Sequence, residues 1–391
     1  MTKSSRAHAH LSRIYRIVLQ RIHSLNFSAL QQRRQALLGE TQRSSNALYR
    51  RSSFAESLEP RLLLASDFSF DASGETESVD LRLTTDGAQI QLYNQQDGTL
   101  LTSQAVNTSS GTVTITGSDF ADALTIDESM ADFTISFVGG AGLDTLLGPN
   151  LNNDWQIKAT NQGTVNSDIN FESIENLTGG TRSDVFTFAD GTSVAGVLAG
   201  GGGEDAIDYS DYETAITIDL ENQTTTGAAQ FTDVEEFVGG KVSDSLAGFA
   251  DDSFWRLSEE DGGQIEYYSD DIQNVVVFSS VENLSGADNS SDTFFIEVDG
   301  GVSGTIDGGA GDFDRLVVAR EENDDTSLIN VQSASAAVST IHGKSISYTE
   351  IEPLITGTVN APVISGSGFS DGYLLRSDDA TTLELRTLGG D

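Results

Sequence analysis

The sequence predicts an all-β chain of the parallel β-solenoid type, a β-roll or β-helix, and three observations carry that reading. Short Gly/Asp turns recur in pairs: Asp122 with Asp144, Asp184 with Asp205 and Asp292 with Asp314 stand 21 or 22 residues apart. Two turns, GGAGLDTLL at 139–147 and GGGGEDAID at 200–208, match the repeat G-G-x-G-x-D-x-U-x, in which U is a large apolar residue. A longer motif returns as FESIENLTGGTRSDVF at 171–186, FTDVEEFVGGKVSDSL at 231–246 and FSSVENLSGADNSSDTF at 278–294. It aligns Phe171, Phe231 and Phe278, then Glu175, Glu235 and Glu282, then Asp184, Asp244 and Asp292, the last after a one-residue insertion. Ile351-Glu352-Pro353-Leu354 reads as a fourth, eroded copy. The unequal spacing of the copies suits coils with variable loops better than a rigid array.

The first 65 residues stand apart by charge. Their 11 Lys/Arg and 3 Asp/Glu give +8, and the remaining 10 Lys/Arg and 57 Asp/Glu give −47, which recovers the net −39. Leu11, Ile14, Val18, Ile22 and Leu25 fall at helical spacing with Arg13, Arg16 and Arg21 between them, so 1–65 reads as a basic leader, helical or disordered. It lacks the uninterrupted apolar stretch of a secretory signal peptide, and the chain has no 18-residue apolar run for a membrane span. The leader ends in LEPRLLLASD, which resembles the LEPR-XLL motif of very large, repetitive, exported bacterial proteins through Leu58, Glu59, Pro60, Arg61, Leu63 and Leu64. That resemblance implies a sorting or processing role, and a secreted or cell-surface location reached without a standard cleavable signal.

From Val79 the pattern changes to period two, through Leu81, Leu83, Ile90 and Leu92, with Asp86-Gly87 and Asp97-Gly98 as turns. Residues 66–110 are therefore expected to form antiparallel strands that cap the first coil, since an open edge strand invites aggregation. The repeat region is expected over 111–357. DDATTLELRTLGGD at 378–391 resembles DGAQIQLYNQQDG at 86–98, so 358–391 reads as the start of a further β module in a longer repetitive protein.

Each repeat joins a short strand rich in Val, Ile, Phe and Thr to a Gly-rich turn, and no repeat can bury its apolar positions alone. Stacking solves this, placing Leu146, Phe186 and Ile207 in one inner ladder. With a coil of 21 or 22 residues, each Asp pair lies at the same corner of adjacent coils. Two carboxylates roughly 5 Å apart repel by about 0.8 kcal/mol in water, and more at a partly buried corner. They splay into solvent, share a proton, or hold a cation, and carboxylates with loop carbonyls make the oxygen shell that Ca²⁺ prefers.

At these residues the chain resembles the RTX, or hemolysin-type, calcium-binding repeat, whose nonapeptides form a parallel β-roll with Ca²⁺ between consecutive turns. The resemblance puts Asp144 and Asp205 at the ligand position of intact motifs, with Gly139, Gly140, Gly142, Gly200, Gly201 and Gly203 as loop backbone. Asp122, Asp184, Asp244, Asp292 and Asp314 hold or adjoin it in altered ones. Here the motifs stand alone or about 21 residues apart instead of in tandem. Arg182 and Val242 replace the fourth Gly, and Phe313 occupies the Asp slot next to Asp314.

Composition narrows the function. A −47 body repels nucleic acid and anionic membranes, which leaves cations and neutral surfaces as partners. Without Cys there are no disulfides and no thiolate sites, and outside the leader His342 alone could serve a zinc site or a catalytic triad. The expected function is a non-catalytic, calcium-stabilised structural or adhesin-type segment, with cell-surface or matrix glycans as further partners. One alternative is a β-helix enzyme acting on polysaccharide through acid pairs such as Asp251 and Asp252 with Arg256 or Arg315. The other is a glycan-binding module that uses Trp155, Trp255, Tyr267 and Tyr268, with Trp255 on a loop bulging from the coil.

Overall fold

The computed structural model describes residues 67–106, 112–269, 272–311, 313–319, 336–341, 344–351, 354–356, 373–379 and 382–387. The expectations for the leader, for the LEPR-XLL-like motif and for much of 358–391 lie outside the described residues. Within them the chain is all-β, built on long sheets in which parallel pairing dominates, and the only described helical element is a 3-10 turn at Glu128–Met130. Two sheets hold 15 strands each, sheet I starting at Phe68–Asp71 and sheet II including Asp80–Thr85. Successive strands pass from one sheet to the other. Thr112–Thr116 and Thr134–Val138 pair in parallel in sheet I, and between them Ala123–Ile126 joins sheet II, pairing in parallel with Thr145–Leu147. Alternating residues bury one face of each strand, as in Ala123–Ile126 and Val185–Phe188, so both sheets contribute to a single hydrophobic core.

Apolar ladders form as expected, but there are two, one per sheet, so Leu146 stands apart from Phe186 and Ile207. Leu124 pairs with Leu146 and Leu146 with Leu177, while Phe186 pairs with Ile207 and Ile207 with Phe237; all six side chains are fully buried. Trp155 and Trp255 extend this stack, against Phe186 at 5.3 Å and Phe294 at 5.1 Å between ring centroids.

Parallel succession is interrupted by three-stranded antiparallel insertions that remain within a sheet. Sheet II takes Asp80–Thr85, Gln89–Asn94 and Leu100–Ala105, and later Thr217–Asp219, Thr224–Thr225 and Ala228–Thr232. Sheet I takes Asp154–Ala159, Gln162–Val165 and Ile169–Glu172, and later Ser253–Glu259, Gly262–Ser269 and Ile272–Ser279. Along the chain the insertions thus fall in sheets II, I, II and I in turn. Each one widens its sheet by two extra strands, about 10 Å at the usual strand spacing. Alternation restores the match between the two sheets, which end with equal strand counts.

The long sequence motif marks the exit from the second, third and fourth of these insertions. Phe171 and Phe278 lie in the last inserted strand in sheet I, and Phe231 in the equivalent strand of sheet II. Tyr348, in Lys344–Thr349 of sheet II, follows the Ala336–Ile341 hairpin strand as the fourth copy. The copies therefore alternate between sheets, and their spacing varies with the number of crossings between insertions. The antiparallel strands expected over 66–110 are present as Asp80–Thr85, Gln89–Asn94 and Leu100–Ala105 at the end of sheet II, and Phe68–Asp71 and Asp80–Thr85 also pair in parallel with Thr112–Thr116 and Ala123–Ile126. One expectation changes. The segment around Trp255 does not bulge: Ser253–Glu259 is an inserted strand paired on both sides.

Candidate functional site

Every Asp of the repeats sits at a crossing, just before a strand, and each is at most 2% exposed. They divide between two edges. Asp122, Asp144 and Asp244 precede sheet II strands, whereas Asp184, Asp205, Asp292 and Asp314 precede sheet I strands. The paired residues are neighbours, as their spacing predicts, and a direct hydrogen bond joins them. The Asp122 amide donates to Oδ1 of Asp144 at 2.7 Å, the Asp184 amide to Asp205 at 2.7 Å, and the Asp292 amide to Asp314 at 2.8 Å.

These bonds belong to longer ladders that sequence reasoning missed. Each ladder begins at the residue opening an insertion and runs through successive neighbouring strands of that sheet. Val79 N–H donates to Asp122, Asp122 to Asp144, and Asp144 to Oε2 of Glu175. Asn153 N–H donates to Asp184, Asp184 to Asp205, and Asp205 to Glu235. Ile216 N–H donates to Asp244, and Asp244 to Glu282. Ser253 N–H donates to Asp292, and Asp292 to Asp314. The signal was present in the aligned Glu175, Glu235 and Glu282 of the long motif, but pattern alone did not give that position a partner.

The second carboxylate oxygen depends on the residue after the first Gly of the turn. Ser118, Gly240 and Ala287 donate their amides to Oδ2 of Asp122, Asp244 and Asp292. The equivalent residues before Asp144 and Asp205 are Gly140 and Gly201, with φ of +112° and +98°, in the left-handed region open to glycine. Oδ2 of Asp144, Asp184 and Asp205 is buried without a hydrogen-bond partner. Burial pushes the carboxyls of Asp144 and Asp184 up to about 6, against hydrogen bonds from the Asp122 amide and from Asn153 respectively. Burial likewise raises Asp205, Asp244, Asp292, Glu235 and Glu282.

Each carboxylate lies over the first Gly of its own turn, as Asp144 lies over Gly139 and Asp205 over Gly200. A Cβ at either glycine would strike that carboxylate and the carbonyl of Ser173 or Asp233 on the neighbouring strand. Gly142 and Gly203 lie equally close to the backbone at Phe120 and Arg182, so the intact nonapeptides pack directly on the altered ones.

This packing bears on Ca²⁺. One oxygen of each paired carboxylate faces an amide proton, which a cation would have to replace, and the unpartnered oxygens face glycine Cα–H groups. Among the described residues no three His, Asp or Glu side chains converge as a metal-holding group. An ion shared between the paired carboxylates would therefore have to displace these amide donors and draw on loop carbonyls.

The remaining candidates are dispersed. Trp155 and Trp255 are fully buried and Tyr267 is partly buried, so of the four aromatics Tyr268 alone, at 61% exposed, stands on the surface. Arg256 pairs with Glu297 at 2.8 Å and lies over Phe254 and Phe295, and Arg315 lies over Phe313. A shallow groove of about 430 Å³ on sheet II is lined by Thr217, Asp219, Ser245, Asn283, Thr305 and Asp307, among others, without a basic residue. No helix among the described residues is long and apolar enough to cross a membrane. Comparison with protein-family models and with curated proteins finds no match to the chain.

Proposed function

We propose that this chain is a non-catalytic β-solenoid segment of an exported or cell-surface repeat protein, serving as a stiff structural or adhesin-type spacer. The observation that carries the reading is the set of buried carboxylate ladders running from strand to strand. Chemistry that needs acids to bind or react would leave them reachable, whereas here the repeated acids are spent on backbone amides. The polysaccharide-enzyme alternative draws little from the geometry, since the sheet II groove surrounds its Asp219 and Asp307 with hydroxyl, amide and aliphatic side chains and no basic one. Calcium, which the RTX resemblance implies, is the competing reading of the same carboxylate corners, and melting in chelator against millimolar Ca²⁺ separates the two.

Two experiments test the proposal. Antibody labelling of intact producing cells should detect the chain without permeabilisation, and screens on acidic and neutral glycans should give no turnover. Labelling that requires permeabilised cells overturns the surface assignment. Turnover abolished by a single Asp or Arg substitution overturns the non-catalytic one.

A further inference from the structure

We infer that Glu175, Glu235 and Glu282 are register-setting residues, each closing a carboxylate ladder just after an antiparallel insertion, and that amide donors hold these corners without a metal ion. Every strand that leaves an insertion must rejoin its parallel neighbour in the other sheet, and at that step a slip of one residue would turn its apolar face outward. The chain crosses there without the Gly-Gly loop used elsewhere. It turns instead through a single residue of positive φ: Ser173 at +55°, Asp233 at +52° and Ser280 at +56°. Two residues later comes the Glu, one methylene longer than the Asp it replaces, and it accepts the amide of Asp144, Asp205 or Asp244 at 2.9, 2.8 and 2.6 Å.

The following residue completes the grip. Asn176 and Asn283 donate their backbone and side-chain N–H groups to the carbonyls of Asp144 and Asp244. Their Oδ1 atoms accept the amides of Val197 and Thr305 on the next strand. Both backbone groups of the last Asp are thereby read by two adjacent residues of the returning strand. A one-residue shift would leave the Glu facing no amide and the Asp amide buried without an acceptor. Glu236 stands where the other copies carry Asn and keeps the backbone contact, its N–H donating to the Asp205 carbonyl at 3.0 Å. This inference does not depend on export or surface location, so either can fail alone.

The test uses the full chain and its Glu235→Gln, Glu235→Asp and Glu235→Ala variants, each in chelator and in millimolar Ca²⁺. Hydrogen–deuterium exchange over the segment carrying Asp205 and the urea midpoint are the readouts. Gln keeps both the length and an accepting oxygen, so Glu235→Gln should retain slow exchange. Glu235→Asp keeps the charge but not the reach, and its exchange should accelerate about tenfold or more at Asp205, as in Glu235→Ala. Wild-type protection should be equal in chelator and in Ca²⁺. Slow exchange in Glu235→Asp would overturn the register role, and protection of Asp205 that appears only with Ca²⁺ would overturn the metal-free corner. Should Glu235→Ala fail to fold, the Gln and Asp variants still decide the question.

Discussion

The amide of Asp184 donates to Oδ1 of Asp205 across 2.7 Å, while the amide of Asp205 donates to Glu235. Asp205 is thus an acceptor toward one neighbouring strand and a donor toward the other. Removing its side chain leaves the Asp184 amide buried without a partner. Asp205→Ala should cost about 2–4 kcal/mol, from the lost charged hydrogen bond together with the unsatisfied donor. Asp205→Asn retains an accepting oxygen and should cost less than about 1 kcal/mol. Urea midpoints of the two variants check the difference, and equal losses would mean that the carboxylate charge, not the acceptor, matters.

The raised carboxyls make a pH prediction. Asp144 and Asp184 titrate at about 6 in the folded chain, above their ordinary 3.8, because burial disfavours the charged form. Between roughly pH 4 and 6 the folded state therefore holds protons that the unfolded state has released. Their stabilising contribution is fully present below about pH 4 and is lost as pH rises through 6. Exposed Asp71, Asp86 and Asp97, lowered by backbone hydrogen bonds, act in the opposite sense only at more acidic pH. The melting temperature should rise when the pH falls from 7 to 5. In Asp144→Asn/Asp184→Asn that rise should shrink, and an unchanged profile would assign it to the net charge of the body instead.

The sequence and the structure agree where periodicity has one physical solution. Leu146, Phe186 and Ile207 could be assigned to the inner face because only a stack of short strands buries them, although Leu146 lies in the ladder of sheet II and the other two in that of sheet I, and Asp122 and Asp144 fell on neighbouring strands because their spacing equals one circuit. What pattern could not show was the object each carboxylate faces. A buried Asp over glycine, accepting a backbone amide, and a metal-bound Asp on a Gly-rich loop demand the same small residues at the same positions. The first insertion was legible through its Asp86-Gly87 and Asp97-Gly98 turns, but the later ones were hidden for another reason. Inserted strands such as Asp154–Ala159 alternate in the same way as parallel ones, and the direction of pairing leaves no mark in a period-two pattern. Trp155 and Trp255 stayed open between core packing and a surface role because a lone Trp reads the same on either face of a strand, and both are core.

The glycines of the intact turn GGGG at 200–203 should differ sharply in tolerance. A Cβ on Gly200 would overlap the Asp233 carbonyl and the Asp205 carboxylate, the latter held by the ladder, whereas one on Gly202 meets nothing nearer than 3.6 Å. Gly202 also lies outside the positive-φ set that includes Gly201 and Gly203. Gly200→Ala should cost about 2 kcal/mol or more through displaced backbone, and Gly202→Ala should stay within about 0.5 kcal/mol of the parent. Thermal melting of both variants decides it, and a harmless Gly200→Ala would contradict the close packing at this corner.

Trp255 gives the last test, because it separates a core role from a ligand-binding one. Its indole is fully buried, stacked on Phe294, and its Nε1 donates at 2.9 Å to Oγ of Ser253, which in turn donates to Oδ1 of Asp292. The ring is therefore tied to the ladder through one hydroxyl. Trp255→Ala should cost about 3–5 kcal/mol through the cavity it opens. Ser253→Ala removes only the hydroxyl, leaving Nε1 buried without an acceptor and Asp292 short of one donor, and should cost about 1–3 kcal/mol. Combining Ser253→Ala with Trp255→Phe removes both ends of the Nε1 bond and should cost less than the two single changes added together. Additive losses in denaturant melts would show that the indole and the hydroxyl act separately, and would dissolve the link between the aromatic core and the Asp292 ladder.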